Sequence, residues 1–99
     1  MKFRDYINEM DNLDMLQMKM DKINKKLPMM GKMIERATNF KVNKIYQGDL
    51  ESDPGLDMGE YSISIPDEKH MVLTQYTKGK FIMKHTGDLL SMIDYLKKL

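Results

Sequence analysis

Apolar residues recur at Leu13, Leu16, Met20, Ile23, Leu27, Met30 and Ile34, in alternating steps of three and four that lay one stripe along a helix. Phe3, Ile7 and Met10 carry a similar spacing back toward the N-terminus, with Asp11, Asp14, Lys19, Asp21 and Lys22 as polar positions between. The pattern predicts a helix from about Phe3 to Lys26. Pro28 lacks a backbone N–H and its ring clashes inside a continuing helix, whereas a first helical position tolerates it. The expectation is therefore a break at Leu27 and a second, shorter helix reaching about Thr38.

After Asn39 the period changes from three-to-four to two, the signature of strands. Phe40 to Gln47 reads as a first strand. Glu60 to Ile65 is the clearest, because Tyr61, Ile63 and Ile65 alternate with Ser62 and Ser64, giving one buried and one wet face. Met71 to Thr77 and Lys80 to His85 flank Lys78-Gly79, a two-residue hairpin loop with glycine available for a positive φ. That loop sets Thr77 opposite Lys80 and Tyr76 opposite Phe81. Val72, Thr74, Tyr76, Phe81, Met83 and His85 then share one surface, which is expected to be the core face.

Thr86, Asp88 and Lys97-Lys98 bracket a final helix with capping side chains at its start and cations in its last turn. Leu89, Met92, Ile93 and Leu96 share one side of it. The expected fold class is α+β: two N-terminal helices, a mainly antiparallel sheet of four strands, and a C-terminal helix packed on the sheet. Residues 1–99 form a single domain, with a helical region at 1–38 and the sheet with its helix at 40–99.

Charge is unevenly spread. Lys25, Lys26, Lys32, Arg36, Lys41 and Lys44 stand against the single acid Glu35, and then Asp49, Glu51, Asp53, Asp57 and Glu60 follow with no base up to Pro66. The blocks can neutralise each other or present a basic surface to phosphates. The sequence has no Cys, which excludes disulfides, thiol nucleophiles and thiolate metal sites and suits a reducing compartment. No apolar run approaches the roughly 20 residues that span a bilayer.

Asp49, Glu51, Asp53, Asp57 and Glu60 fall at the spacing of a calcium-binding loop. Pro54 occupies the place where that loop needs glycine, and strands flank it where helices belong. His70 and His85 lie at the start of one hairpin strand and the end of its partner, where they can approach each other, but they lack companions for a zinc site or a serine-nucleophile arrangement. No metal, cofactor or small-molecule ligand is expected. Eight of the twelve methionines lie in the first 33 residues. Flexible thioethers suit an adaptable contact surface.

Met1-Lys2-Phe3-Arg4-Asp5-Tyr6-Ile7-Asn8-Glu9 resembles the capsid-targeting propeptides of internal head proteins in T4-like tailed phages. The resemblance implies Ile7 and Glu9 as recognition residues for a prohead protease and the Glu9-Met10 bond as the one cut. Met10 departs from the small residue common after that cut. The resemblance also implies a virion interior or host cytoplasm as the setting. The function expected is that of a non-enzymatic accessory protein binding a protein partner, or a second copy as a homodimer, through Leu13, Leu16, Met20, Ile23, Leu27, Met30 and Ile34. The alternative is nucleic-acid binding through Lys25, Lys26, Lys32, Arg36, Lys41 and Lys44.

Overall fold

The structure is a computed structural model that describes the backbone of residues 3–99 and the side chains from residue 14 onward. The described residues form two helices and one five-stranded antiparallel sheet. Helix α1 (Phe3–Ala37) is a single helix of 35 residues with Pro28 inside it. At 1.5 Å per residue it runs about 52 Å, which accounts for the 53 Å long dimension of the molecule.

The break expected at Leu27 is absent because packing outweighs the proline. Ile23, Leu27, Met30 and Ile34 are all buried in one core. Full burial of each such side chain is worth roughly 1.5–3 kcal/mol, against about 3 kcal/mol for an interior proline. A turn at Leu27 would lift Met30 and Ile34 off the surface they cover.

The sheet is a meander of β1 (Lys44–Tyr46), β2 (Gly55–Asp57), β3 (Tyr61–Ser64), β4 (Met71–Thr77) and β5 (Lys80–Gly87), in that spatial order. The sequence reading expected four strands, and β2, hidden in the acidic segment, makes the fifth. Leu56 at its centre faces Ile63 of β3, which faces Leu73 of β4. These side chains, with Met58, Ile65 and Met71, form the core beneath α1 and beneath Met92, Ile93 and Leu96 of α2 (Leu89–Lys97). Asp88 caps α2 by accepting a hydrogen bond from the Ser91 N–H at 2.9 Å.

The hairpin loop and its register follow the sequence. Thr77 pairs with Lys80 and Tyr76 with Phe81, and Lys78 and Gly79 both have positive φ, 52° and 75°, as a type I′ turn requires. The facing is the reverse of the expectation. Met71 and Leu73 are buried, whereas Tyr76, Phe81 and Met83 are exposed and Val72 and Thr74 lie between those extremes. Leu73 must face inward because Ile63 does, and directly paired residues share a face. Farther along, Leu73 pairs with His85 and Thr74 with Met83, so Lys84 is the extra residue of a bulge. The bulge returns His85 to the core side, away from the residues with which it was grouped.

Candidate functional site

The stripe expected to bind a partner is mostly spent inside the molecule. Ile23, Leu27, Met30 and Ile34 are core residues, Met20 is half-buried, Leu16 is 54% exposed, and the side chain of Leu13 lies outside the described residues. From Ile23 to Ile34 the heptad-like pattern marks a face packed into this chain's own core, so those four residues are not a free interface. Ile7 and Glu9 also lie outside the described side chains.

Asp14 through Lys19 are exposed, and they are the part of α1 where Met15, Leu16 and Met18 face solvent. Two ion pairs fix α1 to the β3–β4 turn, Lys19 to Asp67 at 2.5 Å and Lys26 to Glu68 at 2.8 Å. Asn24 holds the β1–β2 loop from both sides, donating to the Gly48 carbonyl at 3.0 Å and accepting from the Gly48 N–H at 2.8 Å.

The basic segment is divided by the fold. Lys25, Lys32 and Arg36 are exposed and, seven and four residues apart, share a strip of α1 turned away from the core. Lys26 is engaged by Glu68. Lys41 and Lys44 lie beyond the helix, with the Lys44 ammonium 5.2 Å from the centre of the Tyr46 ring.

The acidic loop serves its own turn. The Asp49 carboxylate accepts from the N–H groups of Glu51 and Ser52 and from the Ser52 hydroxyl, and these bonds hold its pKa below the usual carboxylate range. Asp67 is lowered as well, first by its bond from Lys19, then by the Lys69 N–H and the nearby charges of Lys19 and His70. Among the described residues no three histidine or carboxylate side chains converge as metal ligands.

The two histidines take different partners. His70 is exposed, with Asp67 at 3.9 Å. His85 Nε2 lies 2.6 Å from the Ser91 hydroxyl, and its ring stacks on Tyr95 at 4.9 Å. A serine nucleophile needs a base oriented by a third group, and backbone donors for the oxyanion. Here the Ser91 N–H is already given to the Asp88 cap. The contacts instead clamp α2 to β5.

The face of the sheet opposite the helices is the largest feature that the sequence reading placed wrongly. One row across it runs Tyr46, Gly55, Ser64, Val72, Thr86 and the next Lys44, Asp57, Ser62, Thr74, Met83. The floor is made of small residues, with a hydroxyl pair between Ser62 and Thr74 at 2.9 Å. Lys44 and Tyr46 rise at one margin. At the other, Phe81 is 75% exposed, Met83 67% and Tyr76 51%, with the Tyr76 and Phe81 rings 4.8 Å apart. From Lys69 through Gly87 there are four lysines (Lys69, Lys78, Lys80 and Lys84) and no acid, so the hairpin itself is positively charged, with Glu60, just before the neighbouring strand, bonded to Gln75 beside it.

Among the described residues no helix is long and apolar enough to cross a membrane. Comparison of the chain with family models, with curated proteins and with solved structures gives no match.

Proposed function

We propose that this protein is a non-enzymatic binding protein whose contact surface is the open face of the sheet, centred on Tyr76, Phe81 and Met83, and that its partner is another protein. One observation carries the reading. Among the described residues thirteen apolar side chains are packed into a single core with no buried polar or charged residue, yet three large apolar side chains stand together, exposed, on one hairpin. Aromatic and methionine side chains are enriched at protein interfaces, and a contiguous exposed group of them marks a contact site. The tailed-phage setting, in the head or the infected cell, rests on the resemblance of Met1–Glu9 alone.

Placing a photo-crosslinking amino acid at Phe81, and separately at Met29 on the outer side of α1, tests this in the cells that make the protein. Cross-linked protein at position 81 that is absent at 29 supports the reading. Cross-linking at 29 alone returns the contact to the helix and overturns it.

A second reading has its own observation. Tyr46, Tyr76 and Phe81 are exposed rings beside Lys44, Lys78 and Lys80, the combination by which single-stranded nucleic acid is stacked and neutralised. Binding of a labelled oligothymidylate that collapses steeply with added salt and is lost in Phe81→Ala favours it over a protein partner.

A further inference from the structure

We infer that the free edge of β5 accepts an extended, acidic segment of the protein partner as a sixth strand, over Lys80 to Met83. The inference rests on the open-face reading above and names how the partner is held. β5 is an outer strand of the sheet, eight residues long. The opposite outer strand, β1, has three residues and runs into a loop held by Asn24. Proteins commonly blunt sheet edges by making them short or covering them. β1 is blunted in this way. β5 is not, because α2 lies on the core side, tied down through His85, Ser91 and Tyr95.

The hairpin register determines which backbone groups are free. A two-residue loop makes Thr77 and Lys80 a hydrogen-bonded pair, and such pairs alternate with unbonded ones along an antiparallel ladder. Tyr76 opposite Phe81 is then an unbonded pair, Gln75 opposite Ile82 a bonded one, and Thr74 opposite Met83 unbonded. The Tyr76 N–H indeed turns the other way, to the Glu60 carbonyl at 2.8 Å. The N–H and C=O of both Phe81 and Met83 therefore point off the edge of the sheet. Among the described residues no loop, turn or cap hydrogen bond reaches them, and no strand lies beyond β5. The bulge at Lys84 ends the regular stretch, so the template is four residues long, with Phe81 and Met83 exposed on one face and Ile82 on the other.

Charge selects the occupant. Pairing of β5 with β5 of a second copy, with Phe81 opposite Met83, sets Lys80 opposite Lys84 at both ends of the contact. Like charges directly opposite are destabilising. A strand with acids at those ends and apolar residues between them matches both the lysines and the exposed side chains. Main-chain bonds would then supply affinity, and the alternate side chains and end charges specificity.

The test uses the full chain and the blocked peptide Gly-Glu-Val-Thr-Val-Glu-Gly, with its lysine counterpart Gly-Lys-Val-Thr-Val-Lys-Gly and an oligothymidylate as comparisons. Saturating acidic peptide is expected to slow hydrogen exchange at the Phe81 and Met83 amides by about tenfold or more. The lysine peptide is expected to bind about tenfold more weakly or worse. Met83→Pro, which removes an outward N–H and no ladder bond, is expected to abolish binding. The double variant Lys80→Glu, Lys84→Glu changes only exposed side chains and reverses the preference to the lysine peptide. Unchanged exchange at the two amides overturns the inference, as does equal binding of both peptides, an unreversed preference in the charge-swapped variant, or oligothymidylate outcompeting the peptide. A partner cross-linked through position 81 without protection of those amides sinks the strand mode alone and leaves the open-face reading standing.

Discussion

The two faces of the sheet are built from the same strands, yet they are chemically unlike. On the covered face Leu56, Ile63 and Leu73 stand in one row under two helices, all buried. On the open face the middle of the sheet carries Gly55, Ser62, Ser64 and Thr74, and large side chains appear only at its margins. The contrast shows that exposure of Tyr76, Phe81 and Met83 is not left over from a poorly filled core. Among the described residues thirteen apolar side chains are buried in the core without them, and the proposed contact surface would give their exposure a role.

Substitutions on the two faces sharpen or break that comparison. Leu73→Ala is expected to cost about 2–5 kcal/mol by loss of contacts and an unfilled cavity, while Phe81→Ala changes stability by no more than about 0.5 kcal/mol. Urea unfolding of the two variants measures both. A large cost at Phe81 would mean that the open face belongs to the folded core after all, and would remove the reason to assign it a partner.

The attachment of α1 gives the next effect. Asn24→Ala deletes both side-chain bonds to Gly48 and leaves the Gly48 N–H and carbonyl unpaired, a loss of about 1–3 kcal/mol by the same measurement. Gly31 is a helical position whose added Cβ would meet Val42 at 3.5 Å, ordinary contact. Gly31→Ala should therefore stabilise by roughly 0.5–1 kcal/mol, seen as a raised thermal midpoint. Gly48 differs, since a Cβ there would overlap Pro54 and Met20, and Gly48→Ala should lower the midpoint.

The smallest effect is electrostatic. Asp67 is lowered in the folded state, chiefly by Lys19, so its contribution is present above the unfolded carboxylate pKa, about 3.9. It is lost as pH falls through the lower folded value. Asp67→Asn should flatten the acid limb of the stability profile below about pH 4 and leave the neutral plateau almost unchanged, because surface pairs contribute little.

Much of the local structure was legible in the residues. The Lys78-Gly79 turn fixed the pairing of Tyr76 with Phe81, and the spacing of Met92, Ile93 and Leu96 identified the buried side of α2. Three features were lost for identifiable reasons. Pro28 is a breaker on local grounds, although the steps Ile23, Leu27, Met30, Ile34 run past it without a slip. β2 is three residues long, and the acids around it mask Leu56, its one apolar residue, which faces Ile63. The hairpin has apolar side chains on both faces, so a period of two alone cannot orient it. Carrying the facing of Ile63 across to Leu73 would have done so. The aromatic residues of the open face alternate just as core residues do, and nothing local to α1 says what covers its stripe.

The order of the chain gives the long helix a further consequence. α1 is made before the sheet, and Leu56, Ile63 and Leu73, which cover its buried side, are made tens of residues later. At roughly 5–20 residues per second, Ile23, Leu27, Met30 and Ile34 wait on the order of seconds without a lid during synthesis. A nascent chain of this protein therefore presents an unshielded methionine-containing helix to whatever stands at the ribosome exit, and the finished molecule withdraws it.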